Sequence, residues 1–589
     1  MHLLKALSGV GVELQRHLSL SAKVRGPIRI GVVWLLLLLV VLGLQWWAGS
    51  FTAEFSGYPD EASHYISGLL VRDYVAGHFP APPMRFAQDF YLHYPYLAIG
   101  HWPPLFYLIE GLWMLLFSPS RISIVLLSVL ITAAFVVSAY EVLRRHFGHL
   151  PALTSALLLA FVPLVQKYAG MVLMDTLLAV LSFWAVLYFG RFLDTGSVRD
   201  SIKFGALACL AILTKGNGLD LALVPPIAVL LTRRFYLLRR SSFWLPAVMV
   251  SLVCLPWHLL TMHLMLPTFM DSAGLDFTKR TLSFYSLLLL KSVGPAILAL
   301  MIVGFFARIV RPFAERLVEA RWAAAAAFVL SICIFHCTVP AGIEARYFIA
   351  ALPPLFMFFV AGADYLARRL AIAAVKPGWR LEFLILLAAL VFAWTSFAIP
   401  KKASYGLREA VKYLMSRPEF KDSLSLVSSE TASGEGIFIS EVAMGGRRNE
   451  HAILRANKVL ADDDWNLQQY KPRYPNARVL MGCLEQIPIR FIVLDMSAAP
   501  RHLEHHRQLL AIVRDRYDRW KLVGTFGGDA AAGRGPIEVY RSVEYDKQPM
   551  PRGGLPTNIT TNVGGTLQHW PFFVKMDCQP DPASARETK

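Results

Sequence analysis

The run IGVVWLLLLLVVLGLQWWA at residues 30–48 carries no charged side chain. As a helix it is long enough to cross a hydrocarbon core of about 30 Å. Further apolar runs follow at about 122–142, 150–167, 175–192, 203–217, 219–232, 243–262, 287–307, 322–340, 347–366 and 381–399. A chain built this way reads as a mostly α, polytopic membrane protein. Its composition, 55% hydrophobic and 17% charged, agrees.

Charge between the runs sets the orientation. The N-terminal segment 1–29 contains Lys5, Arg16, Lys23, Arg25 and Arg29 and lacks a small-residue cleavage site, so the first span is expected to be uncleaved with its N-terminus in the cytoplasm. Arg144-Arg145, then Arg233, Arg234, Arg239 and Arg240, then Arg308, Arg311 and Arg316, then Arg368, Arg369, Lys376 and Arg380 all belong in the cytoplasm by the same rule. The four clusters agree only if PPLFYLIEGLWMLLF at 103–117 does not cross; it opens with two prolines, contains Glu110 and reads as interfacial or re-entrant. The count is then about eleven spans, within a transmembrane domain over 30–399. The loop 51–121, the segments 168–175, 263–286 and 341–346, and everything after about 400 then lie outside. The net charge of +17 is accounted for by these clusters, and no module that would bind nucleic acid is present.

From Lys401 the chain changes character. YGLREAVKYLMSR and HHRQLLAIVRDRY read as amphipathic helices, and SLSLVSS, RFIVLDMS and IEVYRSV as strands, which predicts an extracytoplasmic α/β domain over 400–545. The glycine-rich ASGEGIFISEVAMGG lacks the spacing and the Lys-Ser/Thr of a phosphate loop, and no nucleotide cofactor is expected. Residues 546–589 read as a loose tail carrying an Asn558-Ile-Thr sequon. Cys483 and Cys578 could pair in an oxidising compartment, whereas Cys209, Cys254, Cys333 and Cys337 lie in apolar runs and read as buried thiols.

The costly polar residues converge on the outer face. SGYPDEASHY places Asp60, Glu61 and His64 just after the first span; His93 and His101 lie in the long loop; Asp175 in GMVLMDTLLAV, Lys215 in ILTKGNGL and Arg346 in GIEARYFIAALPP stand at outer helix ends. Carboxylates and histidine suit a divalent cation such as Mg or Mn, with Asp60, Asp175 and His64 as the candidate ligands, while lysine and arginine suit a phosphate. Adjacent helical residues point about 100° apart, so Asp60 and Glu61 do not act as a matched pair on one atom.

The order PDEASHY, GHWPPLFYL, MDTLLAV, LTKGNG and EARYFIAALPP, over about residues 30–365, resembles the polytopic GT-C glycosyltransferases that use polyprenyl-phosphate sugars, the protein O-mannosyltransferase and aminoarabinose-transferase relatives. The resemblance implies inverting transfer of a sugar from a polyprenyl-phosphate lipid to an extracytoplasmic acceptor (a glycan, lipid or protein). It implies Asp60 as catalytic base, with Glu61 orienting the acceptor or a metal. Asp175 would bind acceptor or metal, and Lys215 and Arg346 the lipid phosphate. His101 stands where aminoarabinose transferases tend to carry an acid-lysine pair before the double proline, a departure that argues against the same lipid A chemistry. His93 and the aromatic-rich loop would line the acceptor groove. Residues 400–545 could bind the acceptor, recruit an envelope-assembly partner or stabilise the fold, and a bacterial inner membrane is the expected location. A transporter of a lipid-linked sugar would instead place its charges near the bilayer midplane in repeated halves; an inactive scaffold of the same fold would have no need of the acid pair.

Overall fold

A computed structural model of the protein describes residues 30–544, apart from 98–99, 266–270, 371–374, 422, 430, 447–450, 463–469, 486, 488, 517 and 530–533, together with two strands at Thr560–Val563 and Thr566–His569. The segment 1–29, the Asn558 sequon and Cys578 lie outside the described residues. Cys483 is disulfide-bonded, whereas Cys209, Cys254, Cys333 and Cys337 are free thiols.

Among the described residues, seven helices are long and apolar enough to cross a membrane: Ile30–Trp47, Arg121–Phe147, Asp175–Thr195, Leu275–Ala314, Ala320–Thr338, Ala345–Arg369 and Pro377–Thr395. Two bent pairs raise the number to nine if each is one span: His149–Phe161 with Pro163–Ala169, bent by 63°, and Ser241–Val253 with Leu255–His263, bent by 46°. The count of about eleven also took in 203–217 and 219–232. There the chain forms Val198–Thr214, an extended Lys215 (φ −156°, ψ 140°), a 3-10 turn at Gly216–Leu223 and the short helix Val224–Thr232. Lys215 ends the first piece because its backbone leaves the helical region. Leu105–Leu116 has 12 residues, which at about 1.5 Å per residue falls well short of a bilayer core.

Local chemistry accounts for the ends of several helices. Pro59 occupies the first turn of Pro59–Gly77, where its missing N–H costs nothing, and Asp60 and Glu61 follow where the helix dipole favours negative charge. Ser120 caps Arg121–Phe147 by accepting from the Ser123 N–H at 3.4 Å, Arg144, Arg145 and His146 fill its last turn, and Gly148 ends it at φ 85°. Asp175 opens Asp175–Thr195, and Gly196 closes it at φ 63°.

Small residues let two spans touch backbone to backbone. Gly304 and Gly362 face each other so closely that a Cβ on either would overlap a carbonyl oxygen of the opposite helix, that of Phe358 or Leu300. Gly304→Val is therefore expected to lower the yield of monodisperse protein in detergent and its thermal midpoint, a change that size-exclusion chromatography and scanning fluorimetry would register. A conservative surface change such as Leu260→Ala, at an exposed position, should leave both unaltered.

Beyond Thr395 a five-stranded sheet forms in the order His451–Arg455, Ser423–Ser428, Ile489–Asp495, Ile537–Ser542, Trp520–Phe526. The first three strands are parallel, linked by crossovers, and the last two are antiparallel to their neighbours. Both faces are covered. Phe491 and Val493 point into a core shared with the helix Thr431–Gly445 and the membrane helices, while Ile492 and Leu494 alternate into a second core with the helices Ala477–Leu484 and Glu504–Asp515. The sheet is thus packed onto the loop 51–121 and does not hang from the helices by a linker.

Candidate active site

Four helix ends deliver the charged groups. Asp60 comes from the first turn of Pro59–Gly77, Asp175 from the start of its span, Lys215 from the break after Val198–Thr214, and Arg346 from the 3-10 turn Ala345–Ala351. Each break in helical geometry turns a long polar side chain toward one buried point. The Arg346 guanidinium donates to Asp60 Oδ2 at 2.7 Å, and Lys215 Nζ donates to Asp175 Oδ1 at 2.5 Å. Asp60, Asp175, Lys215 and Arg346 are 7%, 3%, 5% and 6% exposed, so both ion pairs are sealed from bulk water.

Aromatic rings enclose the cations. Arg346 lies 4.1 Å over Tyr58 and 5.6 Å over Tyr347, and Lys215 lies 4.6 Å over Tyr347. The Tyr58 hydroxyl donates to Glu344 at 2.5 Å, and His336 stacks on Tyr347 at 5.1 Å. His64, one turn after Asp60, meets the Tyr107 hydroxyl through Nδ1 at 2.9 Å and the Trp102 ring at 4.5 Å. His101 stands edge-on to the same Trp102 at 4.4 Å. Asp60, Lys215 and Arg346 all act electrostatically on both histidines.

The charge states follow from burial and pairing. Burial is the largest single influence on Asp60 and opposes its ionisation, but the charge and hydrogen bond of Arg346 together with His64 and His101 hold the carboxyl below its ordinary range. Burial drives His64 down to about 3 and His101 down to about 4, so both are neutral imidazoles near pH 7. In the sheet-bearing region burial likewise lowers His505 to about 3 and His506 to about 4. For a group whose pKa falls on folding, the unfolded chain binds more protons below the ordinary value of 6.5. Stability is then present above 6.5 and lost as the pH falls, each such histidine costing about 1.4 kcal/mol per pH unit until its folded pKa is reached. The thermal midpoint is therefore expected to drop steeply between pH 6.5 and about 4. A flat midpoint over that window in scanning fluorimetry would contradict the buried neutral histidines.

Of the residues expected from the sequence, Asp60, His64, His101, Asp175, Lys215 and Arg346 gather here. Glu61 and His93 do not. Glu61 accepts from the N–H groups of Val172 and Gly57, both at 3.2 Å, and pairs with Lys402, which also donates to the Gly170 carbonyl at 3.0 Å. Its helical offset from Asp60 turns it away from the cluster, into the junction with the chain after the last span. His93 meets the His451 carbonyl through Nδ1 at 2.7 Å, which makes it a contact between the loop 51–121 and the sheet rather than a lining residue. The expected cation set of Asp60, Asp175 and His64 does not assemble either. Among the described residues no three His, Cys, Asp or Glu side chains come together as a ligand set, and each of the two aspartates already has a cationic side chain as partner.

Sequence reasoning missed Tyr58, Tyr347, His336 and Glu344, which wall the cluster, and Lys402, which ties Glu61. EARYFIAALPP hinted at Glu344 and Tyr347, which flank Arg346, and SGYPDEASHY at Tyr58, two positions before Asp60; nothing pointed to His336. Lys402 stands 341 positions from its partner, a separation at which no local pattern signals a contact.

Residues 101–260 match the family profile described as dolichyl-phosphate-mannose-protein mannosyltransferase. No match among curated protein sequences reaches significance. Among solved structures, ArnT from Cupriavidus metallidurans bound to undecaprenyl phosphate is similar at 14% identity and a TM-score of 0.54, over 88% of this chain and 99% of that one. Its apo state matches at 15% identity and 0.54, over 86% and 98%. The Archaeoglobus fulgidus oligosaccharyltransferase tethered to an acceptor peptide matches at 13% identity and 0.50, over 91% of this chain and 77% of that one.

Proposed function

Starting from a chain with the fold of the GT-C membrane glycosyltransferases, we propose that it transfers a sugar, with inversion, from a polyprenyl-phosphate lipid to an extracytoplasmic acceptor. The observation that carries this reading is the pair of buried bridges Asp60–Arg346 and Asp175–Lys215, gathered at one point where the long spans Asp175–Thr195 and Ala345–Arg369 begin. Two cations there can meet the phosphate oxygens of a lipid donor, and an acid beside them can take the proton of an incoming hydroxyl.

The roles follow from chemistry. Arg346 and Lys215 bind the polyprenyl phosphate, which leaves as the anomeric C–O bond breaks. Asp60 receives the acceptor hydroxyl proton as the new C–O bond forms on the opposite face of the sugar. The bridges give this step an order. While Arg346 is committed to Asp60 it holds that carboxyl in a low range, where it is a poor base. When the donor phosphate draws Arg346 away, the carboxyl rises toward a range better suited to accept a proton. Donor binding thereby readies the base. Asp175 orients Lys215, and neutral His101 offers an uncharged donor to phosphate or sugar oxygens. Trp102, Tyr58 and Tyr347 supply faces on which a sugar ring can stack.

The Arg-rich loops support a cytoplasmic assignment for the opposite side and an extracytoplasmic one for residues 400–545, in a bacterial inner membrane. The sheet-bearing part over 400–545 is read as one domain with the tail 546–589 beyond it, able to meet an acceptor or an envelope partner.

Asp60 and Asp175 are each committed to a cationic side chain, and no three His, Cys, Asp or Glu side chains come together among the described residues, so no step is routed through a divalent ion. The test is release of free polyprenyl phosphate by purified protein in nanodiscs, given polyprenyl-phosphate hexoses and an envelope extract as acceptor. Turnover is expected, at the same rate with and without EDTA. No release from any hexose donor would count against the transferase reading, and EDTA-dependent release would restore a metal.

A further inference from the structure

Asp60 sits between two residues tied to the later part of the chain, Glu61 directly and Pro59 through Tyr96. Glu61 is held by Lys402, as described above. On the other side, the Pro59 carbonyl accepts from the Tyr96 hydroxyl at 3.2 Å. Tyr96 is in turn held by the sheet-bearing region. The Arg455 guanidinium lies 4.6 Å over its ring and donates to the neighbouring Pro95 carbonyl at 3.2 Å. Arg455 ends the strand His451–Arg455, and its Nε donates to Glu435 Oε2 at 3.0 Å, while Glu435 Oε1 accepts from the Asn457 N–H at 3.1 Å.

This chain of contacts is buried throughout: Glu435 is 0% exposed, Tyr96 6% and Arg455 8%. Gly436, beside Glu435, makes room for it, since a Cβ there would lie 2.5 Å from ring carbons of Tyr96. A buried ion pair is a poor way to gain stability, because desolvation offsets much of the attraction and apolar packing would serve as well. What it supplies is orientation. A planar guanidinium fixed by a carboxylate on one edge and a carbonyl on another presents one face to Tyr96 and so sets the ring in one place.

We propose that Tyr96, Arg455 and Glu435 are positioning residues for the transfer reaction, through which the sheet-bearing region sets the place of the Asp60 carboxylate. The inference rests on the reading of Asp60 as the base. It gives that region a part in the chemistry itself, beyond meeting an acceptor or partner. A misplacement of about 1 Å at a reacting group lowers rate far more than it lowers binding, so the device acts on kcat.

The experiment uses the full chain in nanodiscs, with undecaprenyl-phosphate hexoses and envelope extract for turnover and undecaprenyl phosphate alone for binding. Tyr96→Phe keeps the ring that Arg455 and Gly436 pack on and removes only the hydroxyl. It is expected to lower kcat about three- to tenfold, the range for one lost hydrogen bond, with Kd for undecaprenyl phosphate and thermal midpoint unchanged. Arg455→Lys, which keeps the charge but not the planar face, is expected to lower kcat similarly, and combining the two should bring little further loss because both break one chain of contacts. Wild-type kcat in Tyr96→Phe, alongside an inactive Asp60→Asn, would overturn the inference and leave the transferase reading standing. A loss of kcat that travels with a lower midpoint or weaker phosphate binding would also overturn it, by showing a merely structural role. An active Asp60→Asn would remove the reading on which the inference rests.

Discussion

Asp60→Asn is expected to lower single-turnover sugar transfer by about 10²- to 10⁴-fold, the range for loss of a general base. The substitution is nearly isosteric, and its amide oxygen can still accept from Arg346, which reaches Oδ2 at 2.7 Å in the wild type. What it loses is the capacity to take a proton. It also frees Arg346 from a competing anion, so undecaprenyl phosphate should bind at least as tightly as to wild type. Loss of turnover with retained or improved binding separates a base from a folding residue, which would lose both. Calorimetric or native mass-spectrometric titration supplies the affinity, and release of polyprenyl phosphate supplies the rate.

The second large effect is expected at the cations. Arg346→Gln and Lys215→Met should each weaken undecaprenyl phosphate binding about 10- to 100-fold, the range for a charge-assisted hydrogen bond. Turnover should fall with them. Each change also leaves a buried carboxylate without its partner, Asp60 or Asp175, and breaking a buried pair from one side is strongly destabilising. The doubles Asp60→Asn/Arg346→Gln and Asp175→Asn/Lys215→Met remove the orphaned charge along with the cation. They should recover thermal stability without recovering phosphate binding. Recovery of binding in either double would mean that the single variants failed through folding and that the cation does not touch phosphate.

Much of the candidate cluster was legible because membranes penalise charge. Asp175, Lys215 and Arg346 stand at the ends of apolar runs, where few functions other than a site justify them, and the Arg-rich clusters indicated which ends share a face. The ion pairing was not legible. Asp60 and Arg346 are separated by 286 positions, and nothing local to PDEASHY says that its acid faces a guanidinium rather than a metal. The same limit explains Glu61, which looked like a partner in chemistry because it adjoins Asp60, yet is turned by helical geometry toward Lys402. His93 had a site-like setting among aromatics and became a backbone contact with the sheet.

The fold divides along similar lines. Continuous apolar runs found the long spans, and SLSLVSS, RFIVLDMS and IEVYRSV found the three inner strands of the sheet. Where runs contain Lys215, Val162-Pro163 or Cys254, apolar composition continues while helical geometry breaks, so counting apolar runs and counting long helices give different numbers. The docking of the sheet-bearing region on the loop 51–121 through Glu54, Arg121 and Arg455 lay beyond sequence reasoning. Glu54 accepts from the N–H groups of Tyr405, Gly406 and Arg408, and Arg121 pairs with Glu441, all across more than half the chain.

The most direct measurement is a structure of the full chain in nanodiscs with undecaprenyl phosphate bound. The result expected is phosphate oxygens within hydrogen-bond distance of both Arg346 and Lys215, with the Arg346 guanidinium withdrawn from Asp60 and the Asp60 carboxylate open to the site. A phosphate seated elsewhere, with the Asp60–Arg346 and Asp175–Lys215 bridges intact, would contradict the account.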